Sequence, residues 1–111
     1  MERLCRLRAI QHKINEMEHQ FNLRHGVCFN EAVTLCSLQK AEKPLTPGQI
    51  SEILGLSHSN TSKVLSSAES KGYIDRALGH DDRRHMYFTL TEEGKKLLES
   101  LDCSDMEVPT E

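Results

Sequence analysis

Between Thr46 and Gly72 the chain carries two helix starts and two glycine stops, and this punctuation limits the folds open to it. Thr46-Pro47-Gly48-Gln49 is a helix entry. A threonine oxygen can accept from the third residue's amide, proline tolerates the first helical position, and the glutamine side chain can reach back to the cap. Ile50, Ile53 and Leu54 supply an inner face. Gly55 ends this helix, with Leu56 packing under the turn. Ser57 opens a second helix with inner positions at Thr61, Val64, Leu65 and Ala68, and Gly72 closes it.

Two strand-like segments follow, 73–78 and 85–90. Met86, Phe88 and Leu90 alternate with His85, Tyr87 and Thr89, which puts one face inward. Gly79-His80-Asp81-Asp82-Arg83-Arg84 joins the segments as a hairpin tip. Thr91 caps a last helix, with Glu92 and Glu93 at its positive end.

Upstream, Leu7, Ile10, Ile14, Met17 and Phe21 recur at alternating steps of three and four, and Leu4 widens the stripe. This heptad-like seam predicts a helix ending before Gly26. It either packs on its own domain or is shared with a second subunit. The second reading is favoured, since so small a domain has little core to absorb a helix of that length. Asn30 is placed to cap the next helix, with Glu31 in its first turn and Ala32, Leu35, Cys36 and Leu38 as its buried stripe. Lys43-Pro44-Leu45 breaks it. The expected fold is mainly α with a small β-hairpin, a winged helix-turn-helix domain over 1–101. Its parts are a dimerisation helix (1–25), the helix-turn-helix (46–72), the wing (73–90) and a C-terminal helix (91–101). An acidic, disordered tail (102–111) follows.

That order of elements suits duplex DNA, with a helix for the major groove and a charged wing beside it. Ser57, His58, Ser59, Asn60, Ser62, Lys63, Ser66 and Ser67 are the outward positions of the second helix. Small polar side chains there reach base edges without clashing, and Lys63 suits guanine or phosphate. The plainer alternative is a solvated face, and the flanking glycine turn and hairpin weigh against it. Arg83 and Arg84 at the tip suit phosphates or the minor groove. Asp81 or Asp82 beside them can hold a guanidinium in one orientation through paired hydrogen bonds.

The net charge of −3 argues against a strong nonspecific grip on DNA. Residues 92–111 hold seven acids against two lysines, a net −5, so the rest of the chain carries +2. Modest, salt-sensitive DNA affinity is the expectation. No apolar run approaches the ~20 residues that span a bilayer, and the charged N-terminus lacks a signal-peptide block. A cytoplasmic protein with no membrane partner follows. Cys5, Cys28, Cys36 and Cys103 form no C-x-x-C pair and read as free thiols. Cys36 is expected to be buried, while Cys5 and Cys28 lie near arginines, where an oxidant-sensing thiolate is conceivable. Cys5, His12, Glu16 and His19 share one helical face, but three ligands on one helix rarely close a zinc site. Neither metal nor cofactor is expected. No nucleophile elbow, P-loop or dinucleotide fingerprint supports catalysis.

The stretch from about Gly26 to Leu98 resembles the MarR family of winged helix-turn-helix transcription regulators. The resemblance rests on ILGLSHSNTSKVL, the KGYIDR junction, and the DxRxxxxxLTxxG pattern at Asp82, Arg84, Leu90, Thr91 and Gly94. It implies a homodimeric repressor on a near-palindromic operator, one recognition helix per half-site, with a small-molecule effector among its partners. It implies Arg84 as the minor-groove residue, supported by Asp82, and Ser62-Lys63 facing DNA. Ser51 stands where the family usually has Ala, and Thr61 where it usually has Val or Ile. The segment after Gly94 is shorter than in relatives, so the expectation is either that the N-terminal seam carries more of the dimer or that the chains pair differently. A protein-interaction module built on the same fold is the second reading.

Overall fold

The computed structural model describes residues 1–78 and 86–101. The described chain forms five helices and two strands: α1 (Glu2–His25), α2 (Phe29–Ala41), α3 (Pro47–Leu54), α4 (His58–Ser70), β1 (Ile74–Leu78), β2 (Met86–Leu90) and α5 (Glu92–Ser100). It is the helical fold with a small antiparallel hairpin expected from the punctuation. Two compact units divide it, one of residues 1–29 with Leu101 and one of residues 30–100.

The first unit is essentially one long helix. Gly26 ends it in the left-handed region (φ 74°), with its N–H donating to the Asn22 carbonyl. Phe21 is buried, its ring 4.8 Å from His25 and 5.2 Å from Phe29. The Glu18 carboxylate accepts the Phe29 N–H at 3.2 Å, serving one of the amides a helix start leaves without an internal partner. Because α2 begins at Phe29, Asn30 lies inside its first turn and not at its cap. There the Asn30 carbonyl accepts the Thr34 hydroxyl at 2.7 Å.

The second unit carries the core: Leu35, Leu38, Leu45, Ile50, Leu65, Ala68, Ile74 and Phe88. The capping box at Thr46 is present, with Gln49 N–H donating to the Thr46 hydroxyl at 3.1 Å and Thr46 N–H donating to Gln49 Oε1 at 2.9 Å. Gly55 takes φ 68° and Gly72 φ 83°, so both stops expected from the sequence are left-handed. One inner-face assignment needs correction. Ile53 is 50% exposed, and the buried neighbour of Ile50 is Ser51. Ser51 is admitted because its hydroxyl donates to the Leu56 carbonyl at 2.7 Å, across the turn that Gly55 makes.

The strands pair antiparallel from Ile74↔Leu90 to Leu78↔Met86. Phe88 faces inward, with Met86 and Leu90 half-buried against the core as the alternation requires. Leu45 adds a bridge on the other side of β2, exchanging both backbone hydrogen bonds with Phe88 at 3.1 and 2.8 Å. The break at Lys43-Pro44-Leu45 is thus also a sheet contact.

Thr91 joins the hairpin to its surroundings. Its hydroxyl donates to the Gly72 carbonyl at 2.7 Å and accepts the Gly94 N–H at 3.0 Å, capping α5. Its own N–H donates to the Tyr73 carbonyl at 3.1 Å. Gly94 is needed because a Cβ there would collide with the Tyr73 carbonyl oxygen and come within 2.6 Å of Leu90 Cδ1.

Candidate nucleic-acid interface

Helix α4 is two-sided. Thr61, Leu65 and Ala68 are buried, and Val64 is half-buried. Ser57, His58, Ser59, Asn60, Ser62, Lys63 and Ser66 are all exposed. The alternation follows from 3.6 residues per turn: burying positions 61, 65 and 68 turns 59, 62, 63 and 66 outward. The Ser57 hydroxyl accepts the Asn60 N–H at 3.1 Å, so it caps the helix and keeps its own proton to donate. The first turn therefore offers short polar side chains, with Lys63 the nearest cation on the same face.

Ser67 departs from this face. Expected outward, it is half-buried, and its hydroxyl donates to the Glu31 carboxylate at 3.0 Å. Lys71 Nζ donates to the same carboxylate at 2.9 and 3.0 Å. Glu31 is only 3% exposed, so the acid expected in the first turn of α2 stands there and is also a buried anchor. A separation of forty residues between Glu31 and Lys71 leaves no local signal for this contact.

The hairpin is tied to the same end of α4. Arg76 on β1 donates to both oxygens of Glu69, each at 2.8 Å, and its guanidinium lies 5.6 Å from the Phe88 ring centre. The bond to Arg76 holds the Glu69 carboxyl below its ordinary range, and the same bond holds the Arg76 guanidinium above its own. Glu69 and Arg76 lie on different elements, and nothing in the sequence marked these two as partners. The wing residues Asp82, Arg83 and Arg84 lie outside the described residues, as does the segment 102–111.

The seam on α1 divides along its length. Leu7 and Ile14 are exposed, Ile10 and Met17 half-buried, and Phe21 is packed within its own unit. Leu4, Leu7, Arg8, Ile10, Gln11, Ile14 and Asn15 line a shallow apolar groove. On another face, His12 Nε2 lies 3.5 Å from Glu16 Oε1 as a surface pair. Among the described residues no three His, Cys, Asp or Glu side chains are grouped to hold a metal ion. Cys5 is exposed and Cys28 half-buried. Cys36, expected to be buried, is half-buried as well. No described helix is long and apolar enough to cross a membrane.

Comparison with known proteins bears on this geometry. The model of the MarR family matches residues 25–85. The transcriptional repressor MprA of Escherichia coli K12 is 28% identical over 99 residues, covering 88% of this chain and 55% of MprA. The chain spans about half the length of the curated relatives of this kind that it matches. Among solved structures, the S. aureus MepR–DNA complex is 27% identical with TM-score 0.68, covering 85% of this chain and 77% of that one. The YusO protein of Bacillus subtilis is 26% identical with TM-score 0.69, covering 88% and 69%.

Proposed function

The chain belongs to the MarR family of transcription regulators, and from that premise we propose that it is a homodimeric, DNA-binding repressor. The observation that carries the reading is the two-sided α4. Seven polar residues face outward on a helix held from behind by Thr61, Leu65 and Ala68. The likeness to a relative crystallised with DNA supports it. In this reading Ser57, His58, Ser59, Asn60, Ser62, Lys63 and Ser66 meet the major groove. Arg83 and Arg84, oriented by Asp82, meet the minor groove. Two copies meet through the apolar groove of α1, setting two recognition helices at half-site spacing. Operator occupancy blocks transcription, and a small-molecule effector shifts the spacing of the two helices.

Pull-down of sheared genomic DNA by the purified chain, followed by sequencing, tests the reading. Enrichment of near-palindromic sites is expected, with affinity falling steeply as salt rises. No enrichment, or a flat salt profile, would remove the regulator reading and leave the protein-interaction module.

A further inference from the structure

The apolar back of α4 does not by itself fix the angle at which the helix presents its polar face. Hydrophobic contact is non-directional, so a stripe of Thr61, Leu65 and Ala68 resists separation far better than pivoting. Directional restraint comes from hydrogen bonds: the turn before α4 is held by the Ser51–Leu56 bond, and the charge-assisted bonds gather at the C-terminal end of the helix. Ser67 and Lys71 are bonded to Glu31 of α2, and Glu69 to Arg76 of β1. The Glu31 contact is the shielded one, its carboxylate 3% exposed, whereas the Glu69–Arg76 pair faces solvent.

We propose that Glu31 is a positioning residue for DNA reading: its buried carboxylate, bonded to Ser67 and Lys71, sets the angle at which α4 presents Ser57 to Ser66. This rests on the DNA-binding reading above. Burying the Glu31 carboxylate carries a desolvation cost that well-packed apolar residues would not, so the usefulness of the contact lies in geometry. The lever is long enough to matter. At 1.5 Å per residue, His58 lies about 10 Å from Leu65, so a pivot of about 5° displaces it by about 1 Å. Productive contacts at such a site tolerate about 0.5 Å. Nonspecific phosphate contacts are forgiving of such a shift, whereas base-edge hydrogen bonds are not.

The test compares two duplexes for each variant: one enriched by the wild-type chain from a randomised library, and a scrambled duplex of the same length. Measurements are made well below each variant's melting midpoint, so unfolding does not enter. Glu31→Gln keeps the volume and loses the charge. It is expected to lose about ten-fold affinity for the enriched duplex while staying within about two-fold on the scrambled one. Ser67→Ala removes one hydrogen bond and keeps the fold if Glu31→Gln does not. It is expected to show the same contrast at about three-fold. Wild-type affinity on both duplexes would overturn the proposal. An equal loss on both would reduce Glu31 to a structural role. A wild-type chain that enriches no duplex would overturn the DNA-binding reading, and the proposal with it.

Discussion

Arg76 holds Glu69 by two hydrogen bonds of 2.8 Å, joining the first strand of the hairpin to the last turn of α4. The pair ties the base of the wing to the helix beside it. The bond depends on an ionised carboxylate. Because Glu69 is held below its ordinary range, its contribution is complete above the unfolded glutamate value and disappears as acid titrates the folded carboxyl. Arg76, raised above its ordinary value, stays charged throughout that range. Glu69→Gln should lower the melting temperature at neutral pH, and the gap from wild type should close on acidification below the usual carboxylate range. Thermal melts of both proteins across acid pH check this, and a gap that persists in acid would contradict it.

Thr61 carries a buried hydroxyl with no hydrogen-bond partner among the described residues. Burying such a group costs about 1–3 kcal/mol, and valine has nearly the same shape. Thr61→Val should raise unfolding stability by about 1 kcal/mol with an unchanged denaturant slope. Denaturant titration measures both quantities.

Gly94 sits against a backbone carbonyl that cannot yield. Gly94→Ala should destabilise the domain by about 2–4 kcal/mol, since the added carbon forces α5 away from Tyr73. A melting temperature matching wild type would show that α5 can shift freely.

Lys63 and Arg84 are expected to act on DNA alone. Lys63 is exposed with no packing to lose, so Lys63→Ala should leave the melt unchanged. It should make the slope of log affinity against log salt shallower by about 0.9, one phosphate contact. Arg84→Ala should likewise weaken DNA binding with the fold retained, as read by anisotropy beside circular dichroism.

Leu7 and Ile14 present apolar surface to solvent, at 57% and 40% exposure. If the α1 groove joins two copies, Leu7→Glu with Ile14→Glu should convert a dimer to the 12.6 kDa monomer without lowering helix content. Light scattering after size exclusion reads the mass. A variant that stays dimeric would place the interface elsewhere.

The contrast between what the sequence announced and what it concealed follows from range. Thr46, Gly55, Ser57, Gly72 and Thr91 act on amides and carbonyls within a few residues, so their roles are written locally. The alternation at Met86, Phe88 and Leu90 was equally plain, because a strand with one wet face repeats every two residues. Glu31 with Lys71, Glu69 with Arg76, and Leu45 with Phe88 are tertiary pairings, which neither spacing nor periodicity encodes. Ile53 and Ser51 were exchanged because eight residues give too few turns to fix a buried face. The apolar residue turned out, and the serine turned in to serve a carbonyl.

The bridge from Leu45 to Phe88 has a consequence for crowded solutions. A strand with an open side is a template on which other chains can align. Here β2, the more apolar strand, has neighbours on both sides at Phe88, so its backbone is not open to strangers there. Among the described residues the unpaired side falls to β1, which carries Asp75 and Arg76, charges of both signs. Breaking the Leu45 contact would uncover β2, and the first symptom would be loss of solubility on concentration.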